Sequence, residues 1–167
     1  VARLIIGNAR VRRGVAEKAA EEPRLSRPAI AVSFAALALV YSTMLIGVFF
    51  SSQERGIACT EWPLCPNGFG APEERYLVEY VHRLVAATAA AFVYTTVFIV
   101  PARLKRAKRA AVIAAIIVSV QITLGLLTVL SSLHPIVVAS HLSTGVTAFA
   151  LVLLTFLWAS VWRKHWR

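Results

Sequence analysis

From Ala29 to Phe50 the chain runs 22 residues without a charge, ~33 Å as a helix against a hydrocarbon core of roughly 30 Å. A run of that length needs lipid or a large protein interior around it, and it recurs. A second stretch, about 76–100, is free of charge from Leu84 onward, and a third, about 110–130, is polar only at Ser119, Gln121, Thr123 and Thr128. A fourth, about 135–162, opens on Pro135, whose fixed φ and missing N–H suit the first position of a helix. Four such runs predict an all-α, polytopic membrane protein built as a four-helix transmembrane bundle. The 58% hydrophobic content and mean hydropathy of +0.69 exceed what a water-soluble domain carries.

The net charge of +10 invites a nucleic-acid reading, which the placement of the charges argues against. Lys and Arg fall between apolar runs instead of lining a face with interleaved aromatics. Residues 1–28 hold seven Lys/Arg against three Glu, with Pro23 and Pro28 interrupting them and no apolar core of a secretory signal. The 101–109 linker (Arg103, Lys105, Arg106, Lys108, Arg109) and the 163–167 tail are also basic, whereas the 51–75 loop has two Arg against four Glu. By the positive-inside rule both termini are cytoplasmic and the 51–75 loop lies on the extracellular side of a cell membrane. Domain boundaries follow: a basic segment 1–28, a membrane domain 29–162, and a short cytoplasmic tail. Trp158, Trp162 and Trp166 read as an interfacial anchor at the inner end.

Chemistry concentrates where ionisable groups enter the apolar runs. Glu79, His82 and Arg83 are three and four residues apart, so one helical face carries all three at the outer end of the second span. His141 is the other histidine inside a span. Counted inward from Tyr76 and Pro135, His82 and His141 each lie six residues deep, ~9 Å at helical rise. In an up-down-up-down bundle the second and fourth spans are parallel and diagonal, so the two imidazoles face each other across the centre. Small residues follow each at the same offsets, Ala86 and Ala89 after His82, Gly145 and Ala148 after His141. That pattern predicts a haem held at both axial positions. Ordinary interior histidines sharing hydrogen bonds are the blander alternative.

Glu79 and Arg83 are either an interfacial ion pair or a pair serving the haem, with Arg83 at a propionate and Glu79 at the reacting edge. Gln121, Gly125 and Thr128 share a face of the third span, as a packing seam or as a pocket wall. Cys59 and Cys65 lie in the outer loop, where an oxidising compartment favours a disulfide, structural or redox-active. His134 and His165 read as solvated, with His134 also within range of a propionate from outside.

These residues are similar to a known family. Gly56-Ile57-Ala58-Cys59-Thr60-Glu61-Trp62-Pro63-Leu64-Cys65 resembles the first outer loop of haem A synthases, and Glu79-Tyr80-Val81-His82-Arg83 their E-x-x-H-R. Gln121 to Val129 resembles their Q-x-x-x-G-x-x-T-V, and Ser140-His141-Leu142 falls where they carry the next ligand histidine. The resemblance implies oxidation of the C8 methyl of haem O to a formyl group, giving haem A for terminal oxidases, with haem b as electron-transfer cofactor. It makes His82 and His141 axial ligands of the haem iron, Glu79 the catalytic carboxylate, and Cys59 and Cys65 the outer disulfide. The family's usual members have eight spans in two halves, so a four-span chain is expected to form at least a homodimer or to use a partner. A haem O synthase and an electron donor are the further partners implied.

Two other functions compete on the same residues. A membrane cytochrome b would hold haem between the histidines and only pass electrons. A membrane thiol oxidoreductase would also use four spans and an outer cysteine pair, but the wide spacing of Cys59 and Cys65 disfavours it.

Overall fold

A computed structural model describes residues 25–51, 59, 61–66, 68–70 and 72–161. The basic leader to residue 24 and the tail from Trp162, including His165 and Trp166, lie outside the described residues. The architecture is all-helical among the described residues. Helix α1 is Arg27–Ser51, α2 Leu77–Ile99 after a single 3-10 turn at Glu74–Tyr76, α3 Lys105–Leu130, and α4 Pro135–Phe156, continued by a π turn over Leu157–Val161. All four are long and apolar enough to cross a membrane.

The helices form a ring. The hairpins α1–α2 and α3–α4 pack most extensively, α1–α4 and α2–α3 close the circle, and α2 stands diagonally across from α4. The core where they meet is made of small and β-branched residues: Ala36 and Val40 of α1, Ala89 and Val93 of α2, Ala114 and Val118 of α3, Ala148 and Val152 of α4. In lipid no hydrophobic force draws helices together, so short side chains that let backbones approach supply the association.

That core corrects one expectation. The faces carrying Ala86 and Ala89, and Gly145 and Ala148, were expected to leave space for a macrocycle below the histidines. Ala89 and Ala148 instead pack directly into the helix interface, and the cavity further inward, lined by Ser33, Thr96 and Thr155 among others, is only about 10 Å³. Any large ligand at the histidines would reach inward no further than the level of Ala86 and Gly145.

The basic linker is also more helical than expected. Helix α3 begins at Lys105 and takes in Arg106, Lys108 and Arg109, because Lys and Arg are good helix formers once Pro101 has ended the preceding turn. Lys108 Nζ donates to the Val97 carbonyl, capping the C-terminal end of α2 with a cation where the helix dipole favours one. Trp158 is half-buried and packs on an inner cluster with Leu25, Ala29, Val100 and Leu104, so it consolidates the bundle end in addition to any interfacial role. At the other end α3 turns into α4 through Ser132 and Leu133, both at positive φ (52° and 63°). The Leu133 N–H there donates to the Thr128 carbonyl.

Candidate functional site

The outer cysteine loop is clasped to α2 by one arginine. Cys59 and Cys65 form a disulfide with Cα atoms 4.9 Å apart, and both residues are buried, at 0% and 1% exposure. Arg83, one turn beyond Glu79, directs its guanidinium at the loop backbone. Its Nη1 donates to the carbonyls of Glu61 (2.5 Å), Leu64 (3.2 Å) and Pro63 (3.4 Å), and its Nη2 to Cys59 O (3.1 Å) and Glu79 Oε1. Glu79 completes the clasp by accepting the Cys59 N–H at 2.9 Å. A planar fork with five donors suits this convergence of carbonyls in a way an ammonium would not. The i,i+4 ion pair expected of Glu79 and Arg83 is present, and it is buried, with side-chain exposures of 7% and 12%. Arg83 is therefore engaged with the loop rather than held open for a propionate.

Below the clasp lie the imidazoles. His82 on α2 and His141 on α4 are both half-buried; the Nδ1 of each is enclosed without a well-formed hydrogen bond, but each ring has a backbone group of the neighbouring helix within interaction range, at Thr43 for His82 and at Gln121 for His141. They stand close enough to influence each other electrostatically. Each ring leans on a glycine of the neighbouring helix in its own hairpin. A Cβ on Gly47 of α1 would stand 3.1 Å from His82 Cε1, and one on Gly125 of α3 would stand 3.4 Å from His141 Cε1. Enclosed polar atoms are nearly always partnered, and leaving one unpaired costs about 1–3 kcal/mol. Metal-ligating imidazoles commonly hold their second ring nitrogen against a backbone carbonyl, and the backbone groups at Thr43 and Gln121 are placed for that role. Neutral imidazole suits a transition metal or haem iron, so the residues present fit a haem. Among the described residues no cluster of three or more His, Cys, Asp or Glu could hold a bare metal ion.

Gln121 bridges α3 to α4, its Nε2 donating to His141 O at 2.8 Å while Oε1 accepts from the Thr144 hydroxyl. Gly145 makes room for it: a Cβ there would stand 3.0 Å from Gln121 Nε2.

A model of the cytochrome oxidase assembly protein family (COX15-CtaA) matches residues 69–167, a stretch that contains Glu79, His82, Arg83, Gln121 and His141. This chain belongs to that family. It is 33% identical over 122 residues to a protoheme IX farnesyltransferase of Haloarcula marismortui, covering 71% of this chain and 26% of that one. It is 27% identical over 143 residues to a heme A synthase of Shewanella oneidensis, covering 72% of this chain and 43% of that one. The chain thus spans about a quarter of the first relative and less than half of the second. No solved structure matches it. The family and the four apolar helices together make this a multi-pass membrane protein of the haem A synthase family.

Of the residues singled out in the sequence, the structure brings Glu79, Arg83, Cys59 and Cys65 into one group and His82, His141, Gln121 and Gly125 into a second just inward of it. Thr128 is spent locally, its hydroxyl donating to Gly125 O at 2.7 Å, and His134 is exposed. The disulfide is buried. Sequence reasoning missed Gly47 and Thr144. Gly47 is the sole glycine of α1, a signal available in the sequence, whereas nothing local distinguishes Thr144 from its neighbouring hydroxyls.

Proposed function

We propose that the chain is a haem A synthase module that oxidises the C8 methyl of substrate haem O to the formyl of haem A for terminal oxidases. His82 and His141 are the axial ligands of a haem at the outer end of the bundle. The observation that carries this reading is the pair of imidazoles on diagonal helices, each with an enclosed Nδ1 and each leaning on a glycine of its neighbouring helix. Family membership and the heme A synthase relative support it. The relative named as a protoheme IX farnesyltransferase supports a setting in which the same pigment is modified at successive positions.

When bound, haem b supplies electron transfer at its iron. The chain's own work is to hold the two imidazoles in place through Gly47 and Gly125, to close the inner half of the bundle against solvent, and to keep a carboxylate at the outer rim. Glu79 is the proton-handling group, aimed by the Cys59 N–H and by Arg83. Its engagement with the loop makes the disulfide a structural support for that carboxylate. Basic flanks support cytoplasmic termini and an extracellular cysteine loop. The described residues hold one imidazole pair; a second copy of this chain supplying a second haem site, with haem O synthase and a membrane electron donor as partners, completes the reading.

The rival reading is a cytochrome b carrier, favoured by the absorption of Glu79 and Arg83 into the loop. Pigment extraction after expression with a haem O supply separates the two. Haem A in the extract supports synthesis, and haem b alone supports the carrier. Loss of the bis-imidazole spectrum in His82→Ala and His141→Ala is expected under both, and a wild-type spectrum in either variant overturns the ligand assignment.

A further inference from the structure

The two hairpins carry the same inward-facing pattern. On α1, Ser33, Ala36, Val40, Thr43 and Gly47 stand at the spacings of Ala111, Ala114, Val118, Gln121 and Gly125 on α3. On α2, His82, Ala86, Ala89, Val93 and Thr96 stand at those of His141, Gly145, Ala148, Val152 and Thr155 on α4. The correspondence is structural as well as sequential. Ala36 with Ala114, Val40 with Val118, Ala89 with Ala148 and Val93 with Val152 make up most of the central core. Thr96 and Thr155 are both buried hydroxyls. Gly47 and Gly125 meet the same atom, Cε1, of His82 and His141. Since α1 runs parallel to α3 and α2 to α4, a near-two-fold axis along the bundle relates one hairpin to the other, and the centre between the imidazoles lies on it.

A flat macrocycle ligated on that axis sees two nearly identical half-sites. Rotation about an in-plane axis through the metal carries the macrocycle onto itself except for its unequal edge substituents, so the symmetric part of the pocket cannot tell the two placements apart. Discrimination must come from departures from the two-fold: the cysteine loop, which one hairpin alone carries outward of the rings, and a few side chains. Ser33 against Ala111 lies fourteen residues inward of the glycines, ~21 Å away. At the rim, Glu79 and Arg83 stand opposite Val138 and Leu142, but both charged groups are drawn up into the cysteine loop. The departure next to the rings on their inward side is Thr43 with Val85 and Ala86 in one half, Gln121 with Thr144 and Gly145 in the other. There the Gln121 amide crosses to His141 O and Thr144 over the space that Gly145 leaves open, while the other half has a shorter side chain and a methyl group.

We infer that Gln121, with Gly145 beneath it, is the specificity element that fixes which of the two faces of the haem meets His82 and which meets His141. The inference rests on the bis-imidazole site proposed above. Gln121 acts on the placement of the macrocycle edge and is not a catalytic residue. With the two walls equalised, the placements become equal in energy and therefore equally populated.

The test is proton NMR of the oxidised haem b complex of the full chain, in which the shifted ring-methyl resonances report each placement as a separate set. The wild type is expected to show one dominant set and the combined variant Gln121→Thr, Thr144→Val, Gly145→Ala two sets of comparable intensity, with the bis-imidazole absorption spectrum unchanged in both. A second variant restores the polar contacts with the walls exchanged: Thr43→Gln, Val85→Thr, Ala86→Gly, Gln121→Thr, Thr144→Val and Gly145→Ala together. It is expected to show one dominant set, that of the opposite placement. Two equal sets in the wild type, or a placement unchanged in the exchanged variant, overturn the inference and leave the haem site standing. A wild-type chain that gives no bis-imidazole spectrum overturns both.

Discussion

Replacing Arg83 by methionine keeps the length and apolar stem of the side chain and removes the fork that carries the cysteine loop. In the structure that fork reaches the carbonyls of Cys59, Glu61, Pro63 and Leu64 and the Glu79 carboxylate. The pair is only 12% and 7% exposed. Breaking a buried ion pair by deleting one partner costs about 3–5 kcal/mol, and the position at the rim argues for about 3 kcal/mol, the lower end. At 1.4 kcal/mol per factor of ten, the open population of the loop rises about 100-fold. Because Cys59 and Cys65 are buried, a phosphine reaches the disulfide only through that open state, and its rate follows the open population when reclosing is fast. Reduction, followed by alkylation and mass shift in detergent or nanodiscs, is therefore expected about 100-fold faster in Arg83→Met than in wild type. Glu79→Gln keeps an acceptor for the Cys59 N–H and loses a charge-assisted bond, so a rise of about tenfold is expected. Wild-type reduction in Arg83→Met, or faster reduction in Glu79→Gln than in Arg83→Met, refutes the clasp.

Three further outcomes follow from the geometry. His82 is half-buried and its Nδ1 makes no well-formed hydrogen bond, so His82→Leu is expected to change the stability of the haem-free protein by less than about 1 kcal/mol while abolishing the low-spin haem spectrum; a larger fall shows that the backbone group at Thr43 holds the ring. Gly47→Ala pushes a methyl to 3.1 Å from His82 Cε1 against 3.4 Å for Gly125→Ala, so haem titration should show about tenfold weaker binding for the first and near-wild-type binding for the second. Ser132 sits at φ 52°, and Ser132→Gly is expected to stabilise the chain by about 0.5 kcal/mol in detergent melts, with no change in haem spectrum.

Much of the bundle was legible because lipid imposes a simple code. Charge-free runs long enough to cross, separated by short linkers, leave little freedom in topology, and equal depth of His82 and His141 follows from counting. The Glu79–Arg83 pair was equally readable, being one helical turn. Its attachment to the carbonyls of Cys59, Glu61, Pro63 and Leu64 was not, since those contacts depend on how the loop lies over the helix and leave no mark on side-chain identity. The small residues after each histidine were visible, but their use was misread: alanine one or two turns on serves close approach of helices as well as it serves a cavity, and only packing decides. The matching of α1 to α3 was hidden because it rests on ordinary Ala and Val positions and is broken at Thr43 and Gln121, the very pair with the most to say.

The resemblance between the hairpins bears on biogenesis. A nascent chain enters the bilayer one pair of helices at a time, and each pair brings a single imidazole, insufficient to grip an iron from both sides. Pigment capture must then wait until the later pair has left the insertion machinery and docked on the earlier one, so that loading with haem is the closing event of assembly and a chain halted after α2 stays colourless.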